Sequence, residues 1–321
     1  MKKILASILC VCMILGCCLC FAGCGNKDDG KYTIGICQLV THDALDAATK
    51  GFKDAVIAAL GEDNVEFIEV NAANNPDTCV TAVNDFVSKK VDLIMANATP
   101  ALQAAYNATE EIPILGTSVT EYGVALGIKD FSGTVGGNVS GTSDLAPLTE
   151  QAQMIIDLVP DAKTVGMLSC SAEANSAYQV KVVKEYLEGK GLTVKEYTFA
   201  GSEDVAQVAE AAAGACDALY IPTDNTAASC TETINGVVAP KKVPIIAGEA
   251  GICSGCGIAT LSISYEELGK TTGEMAAKIL KGEADIAEMA IEYDNNPVKK
   301  YNKTLCEELG ITVPEGYEPL S

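Results

Sequence analysis

One feature constrains this chain more than any other. Short apolar runs alternate with amphipathic stretches at about 30 residues per unit, and the series occurs twice. Runs 32–40, 65–70, 93–96 and 112–115 read as buried strands. Between the first two, Ala44, Ala47, Ala48, Phe52, Ala55, Val56 and Ala59 recur at helical spacing over 43–60. Pro76 opens a second helix through Val80, Val83 and Val87, and Thr99-Pro100 reads as an N-cap followed by the first helical position. The pattern breaks over 116–146, a Gly-, Ser- and Thr-rich stretch in which Gly136-Gly137 suggests hinge flexibility. It then resumes with helices at 149–158, 176–188, 205–213 and 227–238, interleaved with strands at 164–168, 192–197, 218–221 and 243–247. A helix over 265–280 stops at Lys281-Gly282, and 284–321 holds one candidate strand and a short helix at 303–309. The expected fold class is α/β, built as two doubly wound parallel-sheet lobes.

Charge narrows the functions open to such a chain. The net charge is −21, and all 22 basic residues are lysine. A surface this acidic repels phosphate backbones, so nucleic acid is not an expected partner. Without arginine there is no guanidinium clamp for carboxylates or phosphoryl groups. His42 is the sole histidine, which excludes a His-rich metal site or a paired-His catalytic site within one chain. Nothing calls for a metal or a cofactor. Gly136-Gly137 is not followed by the Lys-Ser/Thr of a phosphate loop.

The N-terminus addresses the compartment. Lys2 and Lys3 precede an uncharged apolar stretch that ends in Phe21-Ala22-Gly23-Cys24, the pattern of a bacterial lipoprotein cleavage site. This predicts a signal peptide over 1–23, acylation of Cys24, and a flexible tether over 24–30. An uncleaved signal-anchor helix is the alternative, and either way the folded part lies at the outer face of the membrane. Eight cysteines remain beyond Cys24. Cys37 and Cys170 lie in or beside strand runs and suit small-hydrophobe packing, while Cys253 and Cys256 read as a local loop disulfide or two free thiols.

Ligands of open α/β sheets sit outside the carboxyl ends of the strands. In the first lobe those ends carry Thr41 and His42, then Thr99, then Thr117 and Ser118. In the second they carry Asn175 and Ser176, then Asp224 and Asn225, then Glu249. Hydroxyls and helix N-termini suit a ligand carboxylate where arginine is missing, and Asp224 or Glu249 suits an ammonium. Several of these residues also fit plain helix caps or loop bonds, and those readings stay open. Leu39, Tyr122 and Tyr178 are candidates for an apolar side-chain pocket.

The chain resembles the type I periplasmic-binding-protein superfamily. Within it, the chain is similar to ABC-transporter substrate-binding lipoproteins whose relatives bind aromatic amino acids. The resemblance is carried by Ile34-Gly35-Ile36-Cys37-Gln38, His42 to Asp46, Thr99-Pro100-Ala101, Gly137 to Gly141, Glu173 to Ser176, Pro222 to Asn225 and Tyr265 to Gly269. Asp43 stands where that family commonly has proline. The resemblance implies two lobes joined by three crossovers, with 31–120 plus 264–289 in one and 121–263 plus 290–321 in the other. It further implies closure on a small amino-acid-like ligand, delivery to an ABC permease with its ATPase, a monomeric chain and no catalysis. A ligand-sensing lipoprotein serving a membrane receptor would share this fold. A lipid-anchored hydrolase would need a carboxylate pair such as Asp224 and Glu249 as acid and base.

Overall fold

The computed structural model describes residues 30–294 and 296–320. The expected signal peptide, the acylation site Cys24 and the tether up to residue 29 lie outside the described residues. The first series gives β1 (Tyr32–Gln38), α1 (Asp43–Leu60), β2 (Val65–Asn71), α2 (Pro76–Lys89), β3 (Leu93–Asn97), α3 (Thr99–Ala108), β4 (Ile114–Val119), α4 (Tyr122–Leu126) and β5 (Val139–Ser143). The second gives α5 (Leu148–Leu158), β6 (Thr164–Cys170), α6 (Ala174–Gly189), β7 (Thr193–Phe199), α7 (Val205–Ala213), β8 (Ala218–Ile221), α8 (Asn225–Ala228), α9 (Thr231–Val238), β9 (Ile245–Ala247), α10 (Ala250–Cys256) and β10 (Ala259–Ser262). The chain ends with α11 (Tyr265–Leu280), β11 (Glu292–Tyr293), β12 (Val298–Tyr301), α12 (Lys303–Leu309) and β13 (Glu318–Pro319). Among the described residues, no helix is long and apolar enough to cross a membrane.

Two sheets result, ordered β11-β5-β4-β3-β1-β2 and β13-β12-β10-β9-β8-β6-β7. Their pairings are parallel apart from β10 with β12. Each sheet is covered on both faces. Ile34 and Ile36 of β1, with Leu93 and Met95 of β3, point to a core shared with α1 and α11. Cys37, Ile94 and Ala96 point to the opposite core, beneath α2 and α3. This two-residue alternation between two apolar cores is why the strands read as continuous apolar runs. Cys37 packs there as a fully buried free thiol. Tyr122 and Leu39, candidates for a ligand pocket, belong to the same core; the Tyr122 hydroxyl donates to the Thr142 carbonyl.

The chain passes between the sheets three times: after β5, through Ile263-Ser264, and after β11. The expected first crossing at residue 120 is corrected, because β5 pairs with β4 and keeps residues 121–143 with the first sheet. Likewise β11 pairs with β5, so the last crossing follows Tyr293 and not residue 289. Strand β5 escaped notice because Val-Ser-Gly-Thr-Ser has almost no apolar signal, yet all five residues are buried. Its hydroxyls find internal partners: Ser140 donates to the Met289 carbonyl, Ser143 to the Thr120 carbonyl, and Thr142 meets Thr117 and Thr272. Gly136 and Gly137, with φ of 80° and 61°, turn the chain into the entry end of β5. The crossing lies at the other end, which removes their hinge role.

Helix α11 returns from the second crossing to pack along α1. A Cβ at Gly269 would lie 1.9 Å from the Ala48 carbonyl oxygen, so only glycine allows this approach. The expected helix over 227–238 is broken at Ser229-Cys230, where the Ser229 hydroxyl donates back to the Thr226 carbonyl. Cys253 and Cys256 lie on α10 as two buried free thiols, not in a loop.

Candidate functional site

The carboxyl ends of the strands from both sheets face one another within the unit Tyr32–Ser321. Two side-chain contacts bridge them at the front: His42 Nε2 lies 3.4 Å from Asn225 Oδ1, and Asn74 Nδ2 donates to Thr226 Oγ1 at 2.9 Å. Deeper in, Gln179 Nε2 of α6 reaches Thr120 Oγ1 beyond β4 at 3.5 Å. Gln179 also accepts from the Thr223 backbone N–H, so β4 and β8 meet through a single amide.

The backbone is strained where β3 and β4 end. Ala98 and Ser118 have φ of 92° and 54°, unusual for residues with a Cβ, and the Ala98 N–H donates to the Thr117 carbonyl. The β4–β5 register slips between Gly116 and Val119, the kind of bulge that re-aims a side chain. Here it turns Ser118, whose buried Oγ has no protein partner. Strain held at strand ends beside a cleft is a recurring mark of binding sites.

Helix starts divide into two groups. Helices α8, α10 and α11 are capped by the side chains of Asp224, Glu249 and Ser264. Helices α1, α3 and α6 start at His42, Ala98 and Glu173 without a side-chain cap bond. The N-cap expected at Thr99 is thus held by Ala98, and Thr99 is the buried first helical residue. An uncapped start beside an unpaired serine hydroxyl is chemistry suited to an anion.

Four carboxyl groups are buried nearby, and three are committed. Asp224 accepts from the Cys170 and Ala227 N–H groups and from Ser176 Oγ, at 2.7, 2.8 and 2.7 Å. Burial first, then the charge of Glu173, holds its carboxyl above the usual range. Glu249 accepts from the Gly251 and Ile252 N–H groups; burial raises it, while His42 on the facing lobe pulls it down. Glu173 accepts from five donors on Asn175, Asn225 and Thr226. Asp144, just after β5, differs. Its Oδ2 accepts from the Tyr265 hydroxyl at 2.9 Å, and its buried Oδ1 has no partner. Burial pushes it from 3.8 to about 6, with Thr120 and Tyr265 acting against that rise and Glu249 adding to it.

Of the residues expected from sequence, His42, Ser118, Asn175 and Asn225 come to the facing edges. Asn175 Nδ2 is occupied by Glu173 and the Thr223 carbonyl, while its buried Oδ1 is unpaired. Thr41 is exposed and accepts from Asn71. Thr117 turns inward to the Thr142–Thr272 hydroxyls, away from the edge. Ser176, Asp224 and Glu249 are engaged by protein groups: every oxygen of the two acids already accepts at least one hydrogen bond, which leaves them less open to an ammonium than Asp144 Oδ1. Asp144 was missed because β5 was missed. Read as a strand end, the run Ser140 to Asp144 would have flagged it.

Fold and site together define a two-lobed solute-binding protein. The profile of the family described as ABC transporter substrate binding protein matches residues 33–317, and the chain belongs to that family. It is the substrate-binding component of an ABC transporter and works on the extracytoplasmic side. It is 38% identical to a tyrosine-binding protein of Clostridioides difficile (strain R20291) over 297 residues, covering 88% of this chain and 84% of the relative. An L-Trp complex from Streptococcus pneumonia is 32% identical, with a TM-score of 0.85, covering 89% of this chain and 96% of that one. The ligand-free, open structure of a substrate-binding protein with adhesive properties from Clostridium difficile is 36% identical, with a TM-score of 0.68, covering 90% of this chain and 99% of that one. The better fit to the complex, despite lower identity, matches the bridging contacts above: the lobes stand closed.

Proposed function

We propose that the cleft binds an aromatic amino acid as its zwitterion. The observation that carries this reading is that three of the six buried polar side-chain atoms without a partner among the described residues, Ser118 Oγ, Asp144 Oδ1 and Asn175 Oδ1, lie at or just beyond the carboxyl ends of β4, β5 and β6. Buried polar groups are costly unless bonded, so such a set calls for a ligand with matching groups. Asp144 and Asn175 offer acceptors to the ammonium. Ser118 and the uncapped start of α3, at Thr99, suit the carboxylate. His42 and Asn225 close the front of the cleft. The tyrosine-binding and L-Trp-bound relatives support an aromatic side chain. On this reading the protein is a monomer without catalytic activity, anchored by acylated Cys24, that hands its ligand to a permease driven by a cytoplasmic ATPase.

Calorimetry and thermal shift on residues 25–321 with tyrosine, tryptophan and phenylalanine test the ligand class. At least one should bind and raise the melting temperature. A flat response to all three refutes the aromatic assignment, and binding unaltered by both Ser118→Ala and Asp144→Asn refutes the site.

A further inference from the structure

Glu173 is buried at the start of α6 yet makes no cap bond to its own helix. Its Oε1 accepts from the Thr226 N–H and Oγ1, both at 2.9 Å. Its Oε2 accepts from the Asn225 N–H at 2.9 Å, Asn225 Nδ2 at 2.7 Å and Asn175 Nδ2 at 3.1 Å. A carboxylate only accepts, so each amide or hydroxyl bonded to it must present its hydrogen to Glu173 and its oxygen elsewhere. Those oxygens go to the facing lobe and the cleft. Asn225 Oδ1 meets His42 Nε2, Thr226 Oγ1 accepts from Asn74 Nδ2, and Asn175 Oδ1 stands unpaired.

We propose that Glu173 is a positioning residue: it fixes the second lobe's edge as a row of hydrogen-bond acceptors, and this row latches the closed lobes through His42 and Asn74. The proposal rests on the reading of the cleft as the binding site, and it adds the group that sets closure. Glutamine at 173 would offer a donor to side chains that are already donating. One or both asparagines would then turn, and the row would lose its common polarity.

His42 is the sole histidine of the chain, so a ring-nitrogen correlation spectrum of the full protein reports this contact without any ligand. In the parent protein Nε2 should carry the proton. Glu173→Gln and Asn225→Ala should move the ring signals alike. A spectrum unchanged by Glu173→Gln but altered by Asn225→Ala overturns the proposal. Tyrosine dissociation, followed by stopped flow, gives the second readout. Asn74→Ala and Thr226→Val should each speed release about tenfold, the scale of one lost hydrogen bond between lobes. The double variant should be no faster than Thr226→Val alone, since that variant already lacks the bond to Asn74 as well as its own bond to Glu173. Rates that multiply overturn the latch. Thr226→Val keeps the test alive should Glu173→Gln fail to fold. If no aromatic amino acid binds, the amino-acid reading falls, while the histidine spectrum still decides the role of Glu173.

Discussion

Lowering the pH should release the ligand through Asp144. Its carboxyl titrates at about 6 in the ligand-free protein, because burial disfavours its charge more than Thr120 and Tyr265 support it. An ammonium held by Oδ1 needs the ionised form, so binding and proton uptake compete. With that value, about nine-tenths of the molecules are ionised at pH 7 and about one-tenth at pH 5, which weakens binding roughly tenfold, or about 1.4 kcal/mol. Titration calorimetry with tyrosine or tryptophan from pH 7.5 to 5 should show this loss. Binding should release a proton, read from buffers of different ionisation enthalpy: almost none at pH 7.5, about half of one at pH 6 and more below that. Asp144→Asn should bind about tenfold more weakly at pH 7 and lose most of the pH dependence. His42→Gln controls for the imidazole across the cleft and should leave the slope in place. A slope unchanged by Asp144→Asn but abolished by His42→Gln would refute the assignment.

The same carboxyl affects the stability of the ligand-free fold. Its folded value lies above its ordinary 3.8, so the native state takes up a proton first between about pH 4 and 6. Unfolding free energy from this group therefore falls as pH rises through that window, and Asp144→Asn should flatten the fall in chemical denaturation; a steeper curve would contradict it. Ser118→Ala keeps the strained backbone but removes the unpaired hydroxyl, so affinity should drop by about 1–2 kcal/mol with little change in melting temperature. Gly269→Ala forces a methyl against the Ala48 carbonyl at 1.9 Å and should cost about 2–4 kcal/mol, visible as a lower denaturation midpoint. Cys24→Ser should abolish incorporation of labelled fatty acid and shift the product into the aqueous phase of a detergent partition, whereas continued labelling would point to another acylated cysteine.

Legibility from sequence followed the local character of each signal. Strands β1 and β3 are apolar on both faces, and α1 has one apolar stripe, so each declares itself within a few residues. Strand β5 is built from hydroxyls and glycine, and its burial depends on Met289 and Thr272, far along the chain. Helix α10 sits in a run of glycines, and its start is secured by Glu249. The resemblance to a binding-protein family and the chemistry at the strand ends both pointed to the edge that carries His42, Ser118, Asn175 and Asn225, the edge proposed above as the binding site.

Residue types at the strand ends were enough to indicate a polar edge, and the want of arginine excluded a guanidinium clamp there. Which atoms in that cleft are free was decided by tertiary structure alone. Asp224 and Asp144 are both acids after a strand, but Cys170 and Ser176, about fifty residues away in the chain, take up the first, while Tyr265 donates to one oxygen of the second and leaves Oδ1 unpaired. Hydrogen bonds act at short range, and their donors come from distant parts of the chain, so the chain must be folded before it is settled which oxygens already carry them.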